Sequence, residues 1–263
     1  MLFIDVHAHL DMKEFDSDRE EIITACVKDT INIILNNGIH DKSNREVLEL
    51  AKKHPNCRAA LGIYPTHIVE WVETGEIDRL EQEFTFIEEQ LKSKKAIAVG
   101  EVGLEYKEIE MNDERKKIMK DALIRFIRLA KKFDVPILLH SRGAEFGLIE
   151  LLESEGMKGN SKVIMHCFCG RKHLVKRARD NGWTFSIPAL VLKTQQFQEI
   201  VRDTPMNQLI TETDSPHLAP QREERNDPRT IKLIVAKIAE IKGLTIEETA
   251  NMIYRNYQEL FRT

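Results

Sequence analysis

Eight short apolar runs recur along this chain with helical patterns between them, and five of the runs lead into side chains able to bind metal. The runs read as strands at 2–6, 31–35, 58–62, 96–100, 136–139, 162–165, 183–187 and 208–211. Runs such as AIAV, PILL and VIM carry no polar alternation, as expected of strands buried on both faces of a parallel sheet. At or just beyond the ends of IDV, AIAV, PILL, VIM and LI stand His7, His9, Glu101, His140, His166 and Asp214. Groups so far apart in sequence can meet at one point only if the strands lie side by side and parallel.

The segments between the runs have helical spacing. Ser17 with Glu20 has the spacing of a capping box, with Ile23, Cys26 and Val27 behind it on one face. Asn44 precedes a helix carrying Val47, Leu48 and Ala51, which stops at His54-Pro55. Leu80, Phe84, Ile87 and Leu91 form one apolar stripe, and Ile118, Ala122, Phe126 and Phe133 form a longer one. Asn181-Gly182 ends the helix containing Leu174, Val175 and Ala178. Thr245 with Glu248 caps a last helix bearing Ile253, Tyr257 and Leu260.

Eight alternations of strand and helix in 263 residues match an α/β architecture of the (β/α)₈ TIM-barrel kind, a single domain over 1–263. The rival, a doubly wound open sheet, gathers ligands at one switch point behind a glycine-rich first turn. Here the first strand runs into His7-Ala8-His9-Leu10, so the barrel is preferred. A net charge of −4 argues against a broad basic face for nucleic acid, although bound cations can supply positive charge to a phosphate. No run reaches the roughly 20 apolar residues of a membrane span, and the polar start excludes a signal peptide. The four cysteines, Cys26, Cys57, Cys167 and Cys169, form no CxxC pair, which points to reduced thiols and a cytoplasmic protein.

His7 and His9 lie two apart on extended chain, so both imidazoles point to one side. Glu101, after a wholly apolar run, would cost several kcal/mol if buried unpaired. Bridging two cations relieves that cost, and an ion pair with Arg142 is the other way to do so. Six ligands exceed a closed four-coordinate zinc site and suit two divalent ions with open positions, hence hydrolysis. Three or four imidazoles suit zinc or manganese, and the carboxylates also suit magnesium. Asp214 serves additionally as a proton acceptor. Glu212 and Asp5 are placed to orient a histidine, or else are ordinary capping or surface carboxylates.

The segments FIDVHAHLD, GIYPTH, AVGEVGLEY, LLHSRGA, HCFCG and TETDSPHLAP, followed by R-x-x-R-N-D-P, occur in that order from residue 3 to residue 228. In this the chain resembles the TatD family of metal-dependent deoxyribonucleases. The resemblance implies that His7, His9 and Asp214 serve one metal, that His140 and His166 serve the other, and that Glu101 bridges. Three departures stand out. Glu105 and Lys107 replace the aspartate and an aromatic of GLDYY. Tyr64 replaces the first histidine of G-x-HP-H, with His67 one position late. Cys169 replaces the serine of HCFSG. The metal core survives all three, and the changes bear on substrate grip.

The expected activity is therefore phosphodiester hydrolysis of DNA, with Glu101 and Asp214 as catalytic groups. Arg142, Tyr64 and His67 are candidate substrate contacts, the last two in the loop after the third strand. Each has a plainer alternative, Arg142 as a rim ion pair and the others as ordinary loop residues. An aromatic content of 6% offers no stacking platform, so a narrow mouth taking a single strand end is expected. The resemblance implies action from a 3′ end, 3′ to 5′. The same barrel could instead hydrolyse amides or esters, as a lactonase or an aminoacyl-tRNA deacylase, because loops rather than ligands select the substrate. No obligate protein partner is indicated. Cys167 and Cys169, the mixed-sign stretch from Arg222 to Arg225, and the lysines at 94 and 95 read as structural or solvated.

Overall fold

In a computed structural model the chain is described over residues 1–221 and 223–262. The eight strands are β1 (Phe3–Ala8), β2 (Ile31–Asn37), β3 (Cys57–Leu61), β4 (Ala98–Glu105), β5 (Ile137–Arg142), β6 (Val163–Met165), β7 (Thr184–Ile187) and β8 (Leu209–Thr211). They pair in chain order and all in parallel. The ring closes at the end of β8 and just past it. There Thr211 Oγ1 donates to Ile4 O at 2.6 Å, Asp214 N to His7 O at 2.8 Å and His9 N to Ser215 O at 2.8 Å. This is the (β/α)₈ barrel expected from the alternation.

Helices α1 (Arg19–Lys28) and α2 (Asp41–Lys53) follow β1 and β2, and both α3 (Pro65–Glu73) and α4 (Ile77–Lys92) follow β3. Next come α5 (Asp113–Phe133), α6 (Glu145–Ser154), α7 (Lys172–Asp180) and α8 (Gln195–Asp203), one after each of β4 to β7. Finally α9 (Ile231–Lys242) and α10 (Ile246–Phe261) follow β8. Their apolar stripes pack on the outside of the barrel, with Ile87, Phe126, Ile234 and Tyr257 fully buried there. No described helix is long and apolar enough to cross a membrane.

Local signals held in part. Thr245 and Glu248 form the capping box, with Glu248 N donating to Thr245 Oγ1 at 3.1 Å and Thr245 N to Glu248 Oε2 at 2.8 Å. Ser17 and Glu20 do not, because α1 starts at Arg19 behind Asp18. Its buried face is Ile22, Ile23 and Cys26, while Val27 is exposed. Asn44 starts no helix either. It lies inside α2, buried, donating to Gly62 O at 2.9 Å and Glu83 Oε1 at 2.7 Å, while His40 takes the capping position. Tyr64 ends the short connection after β3, as expected, but His67 is not in a loop. Pro65 occupies the first turn of α3, where its fixed φ and missing N–H are tolerated, so Tyr64 caps that helix and His67 sits in its first turn.

The strands outrun the apolar runs. β4 extends to Glu105 and β5 to Arg142, so Glu101 and His140 lie within paired strand rather than after it. Between the Val99–Ile137 and Val102–Leu139 pairs, β4 holds one residue more than β5, a bulge next to Glu101. Two residues on, Gly103 is required by its neighbour. Its φ is 153°, and a Cβ there would fall 2.0 Å from His140 O.

Candidate metal centre

All six side chains singled out from the strand ends converge at the C-terminal mouth of the barrel. His7 Nε2 lies 3.3 Å from Glu101 Oε2 and 3.7 Å from Asp214 Oδ1. His9 Nε2 lies 3.5 Å from the same Glu101 oxygen, 3.4 Å from Asp214 Oδ1 and 3.1 Å from His7 Nε2. The other Glu101 oxygen, Oε1, faces His140 Nδ1 at 3.0 Å and His166 Nε2 at 3.8 Å. His166 Nε2 is also 4.0 Å from Asp214 Oδ1. Ligand atoms of His7, His9 and Asp214 form one compact group, and those of Glu101, His140 and His166 form another. Glu101 thus turns one oxygen to each histidine pair.

The far nitrogens of three imidazoles are tied to groups that only accept. His9 Nδ1 donates to Asn37 O at 2.9 Å, His166 Nδ1 to Glu212 Oε2 at 2.8 Å, and His140 Nε2 to Glu105 Oε2 at 2.9 Å. A proton on the far side leaves a lone pair facing the centre in each. His7 Nδ1 is buried without a partner among the described residues, and its ring stacks on His166 at 3.7 Å. Asp214 is held by its bond to His7 O at a φ of 58°, a left-handed conformation uncommon for any residue but glycine.

Three fixed nitrogen lone pairs and three carboxylate oxygens face one another here, beside a His7 imidazole whose far nitrogen is unpartnered, and they repel unless positive charge lies among them. The donor set therefore fits divalent cations, since nitrogen and carboxylate oxygen are ligands of such ions and open positions remain at the mouth. The electrostatics agree. Burial pushes His166 down, but Glu212, Asp214 and Glu101 carry it up to about 10. Burial opposes charge on Glu101, yet His7, His140 and His9 hold it well below the ordinary carboxylate range. Groups that crowd protons in this way hold a cation in their place.

The surrounding residues fall less uniformly. Arg142 is exposed at the end of β5 and has no carboxylate partner among the described residues, so it pairs neither with Glu101 nor at the rim. His67 sits 3.6 Å from Glu70 Oε2, with its ring 5.1 Å from that of His40. Tyr64 reaches inward to His140, with its hydroxyl 3.2 Å from Nε2. Asp5 touches no imidazole. Its Oδ1 accepts the backbone N–H of His7 at 3.2 Å and of Thr213 at 2.9 Å, so it braces the barrel closure instead. Cys169 is exposed and Cys167 half-buried, and both thiols are free. Arg225 pairs with Asp18, and Arg222 lies outside the described residues. Glu105 was not among the expected site residues. It shares the parity of Glu101 and Gly103 along β4, but apolar runs mark only where a strand begins to carry polar groups, not how far it continues.

A parallel barrel gathering four imidazoles and two carboxylates at its C-terminal mouth defines a metal-dependent hydrolase. The TatD related DNase family model matches residues 4–262, and the chain belongs to that family. It is 31% identical to a metal-dependent hydrolase of Bacillus subtilis, YabD, covering 100% of this chain and 99% of that one. It is 29% identical to human deoxyribonuclease TATDN3, covering 98% of this chain and 94% of that one. The crystal structure of YjjV, a TatD homolog from Escherichia coli K12, superposes with a TM-score of 0.84 at 23% identity, over 99% of this chain and 98% of that one. That likeness carries the fold.

Proposed function

We propose that this chain is an exodeoxyribonuclease that removes nucleotides from the 3′ end of single-stranded DNA at a dinuclear divalent-metal site. The observation that carries the reading is the split of Glu101, one oxygen toward His7 and His9 and the other toward His140 and His166. His7, His9 and Asp214 would hold one ion, His140 and His166 the other, and Glu101 both. Such ions, of magnesium, manganese or zinc, supply Lewis acidity at the phosphoryl oxygens.

The chain's own residues do the rest. Asp214, at the open side of the centre, accepts the proton of the water that attacks phosphorus, while the bond from phosphorus to the 3′ oxygen breaks. Arg142, free of any carboxylate among the described residues, grips a non-bridging phosphate oxygen. His67 in the first turn of α3 and Tyr64 at its start flank the incoming sugar-phosphate. DNA as the substrate is supported by the family's description and by the deoxyribonuclease name of the human relative. Four free thiols support a reducing, cytoplasmic setting.

The test is to give metal-loaded protein 5′-labelled single-stranded DNA alongside a panel of small esters, lactones and aminoacyl esters. Stepwise shortening from the 3′ end, lost in Glu101→Ala and His140→Ala, supports the proposal. Ester turnover without loss of nucleotides would replace it with the amidase or esterase alternative.

A further inference from the structure

Beside the gathered ligands lies a buried carboxylate that the hydrolytic scheme leaves without a role. Glu105 is fully buried at the end of β4. Its Oε1 accepts two backbone N–H groups, from Lys107 at 2.5 Å and from Glu108 at 3.0 Å. Its Oε2 faces His140 Nε2 at 2.9 Å. The Tyr64 hydroxyl, from the connection between β3 and α3, lies 3.2 Å from that same nitrogen, 3.4 Å from Glu105 Oε2 and 3.1 Å from Glu108 Oε2. Glu105 and Tyr64 stand side by side on one imidazole.

Counting protons fixes the arrangement. Glu105 is held ionised by its geometry: the backbone N–H groups of Lys107 and Glu108 both donate to Oε1, and hydrogen bonds of that kind favour the charged carboxylate. An ionised Oε2 only accepts, and the single Tyr64 hydroxyl proton goes to a carboxylate. The proton between His140 and Glu105 therefore sits on Nε2, which leaves the Nδ1 lone pair toward Glu101.

With His140 taken as a cation ligand, as proposed above, we infer that Glu105, braced by Tyr64, is a positioning residue that locks His140 in the Nε2–H form and so aims its Nδ1 lone pair into the metal centre. An unusual consequence follows for glutamine at this position. The two backbone N–H groups demand an oxygen, so the carboxamide carbonyl takes that side and its NH₂ turns to His140. That donor needs a lone pair on Nε2, which moves the ring proton to Nδ1, pointing into the centre. Alanine imposes no tautomer at all. Glu105→Gln is thus expected to harm metal binding more than Glu105→Ala, although it fills nearly the same volume. A residue that merely filled space would give the opposite order.

The experiment measures Zn²⁺ affinity by chelator competition, with total zinc per chain, on wild type, His140→Ala, Glu105→Ala and Glu105→Gln. Folding is followed by circular dichroism and urea midpoints. Expected is a roughly 10- to 100-fold weaker second ion in Glu105→Ala and a further loss in Glu105→Gln. Wild-type affinity in folded Glu105→Gln overturns the inference, as does a Gln variant binding better than the Ala one. Should the alanine variant not fold, the glutamine variant alone decides, by wild-type or weakened affinity. Undiminished zinc in His140→Ala overturns instead the assignment of His140 as a ligand.

Discussion

Glu212 holds His166 across an intervening strand. It follows β8 whereas His166 follows β6, yet its Oε2 accepts from His166 Nδ1 at 2.8 Å while its Oε1 accepts the Cys167 N–H at 2.9 Å. One buried carboxylate so fixes both the ring and the backbone beside it. Removing it in Glu212→Ala frees the ring to turn and leaves the Cys167 amide unpaired. Metal affinity is expected to fall roughly 10- to 100-fold and stability by about 1–3 kcal/mol. Dialysis against defined free Zn²⁺ followed by elemental analysis reads the first effect, and urea unfolding the second.

Stripping the ions should cost stability as well as activity. The Nε2 atoms of His7 and His9 lie 3.1 Å apart with no donor fixed between them. A ligand bound only by the folded state adds about 2.7 kcal/mol at 100 times its Kd. For a chain of this size that converts to roughly 5–10 °C in Tm. Chelator-treated protein is therefore expected to melt lower by that amount and to lose hydrolysis, with both restored by divalent cation. An unchanged Tm on removal and return of the ion, measured by differential scanning fluorimetry, would contradict a cation held by these groups.

The sequence made the barrel legible because each strand contains an apolar run, and it made the ligands legible because His7, Glu101, His140 and His166 interrupt or end those runs. What it hid followed from geometry beyond the runs. The apolar stretch before Glu101 stops at residue 100, whereas pairing with β5 continues to Glu105, so a fully buried carboxylate on the same face went unmarked. His67 in GIYPTH reads as a loop residue and instead sits in the first turn of α3, which begins at Pro65. Ser17 and Glu20 have the right spacing for a cap, but the chain turns into helix two residues later.

Arg142 ends β5 exposed, with no carboxylate partner among the described residues, which leaves its guanidinium free for a phosphate. Each phosphate neutralised on a single strand contributes about −0.7 to the slope of log affinity against log salt. Arg142→Ala is accordingly expected to lower kcat/KM on single-stranded DNA roughly tenfold and to flatten its salt dependence by about 0.7 between about 50 and 200 mM. Zinc content should stay as in wild type, since the residue touches no ligand. An unaltered salt slope would remove Arg142 from the phosphate contacts.

Away from the centre, Glu153 at the end of α6 receives the guanidinium of Arg177 through two bonds of 2.8 Å and the amide of Asn181 at 2.8 Å. Arg177 chiefly, then Asn181, lowers its carboxyl to about 2. A carboxylate depressed in the folded state stabilises above its unfolded pKa of about 4.3, and that contribution is lost as pH falls toward 2. Because this pair lies at the surface, water screens it to about 1 kcal/mol. At pH 7 Glu153→Gln is expected to be less stable than wild type by about that amount, with the gap closing between about pH 4.3 and 2. Urea unfolding across this range checks it, and a gap that persisted at pH 2 would mean that the charge of Glu153 is not what joins α6 to α7.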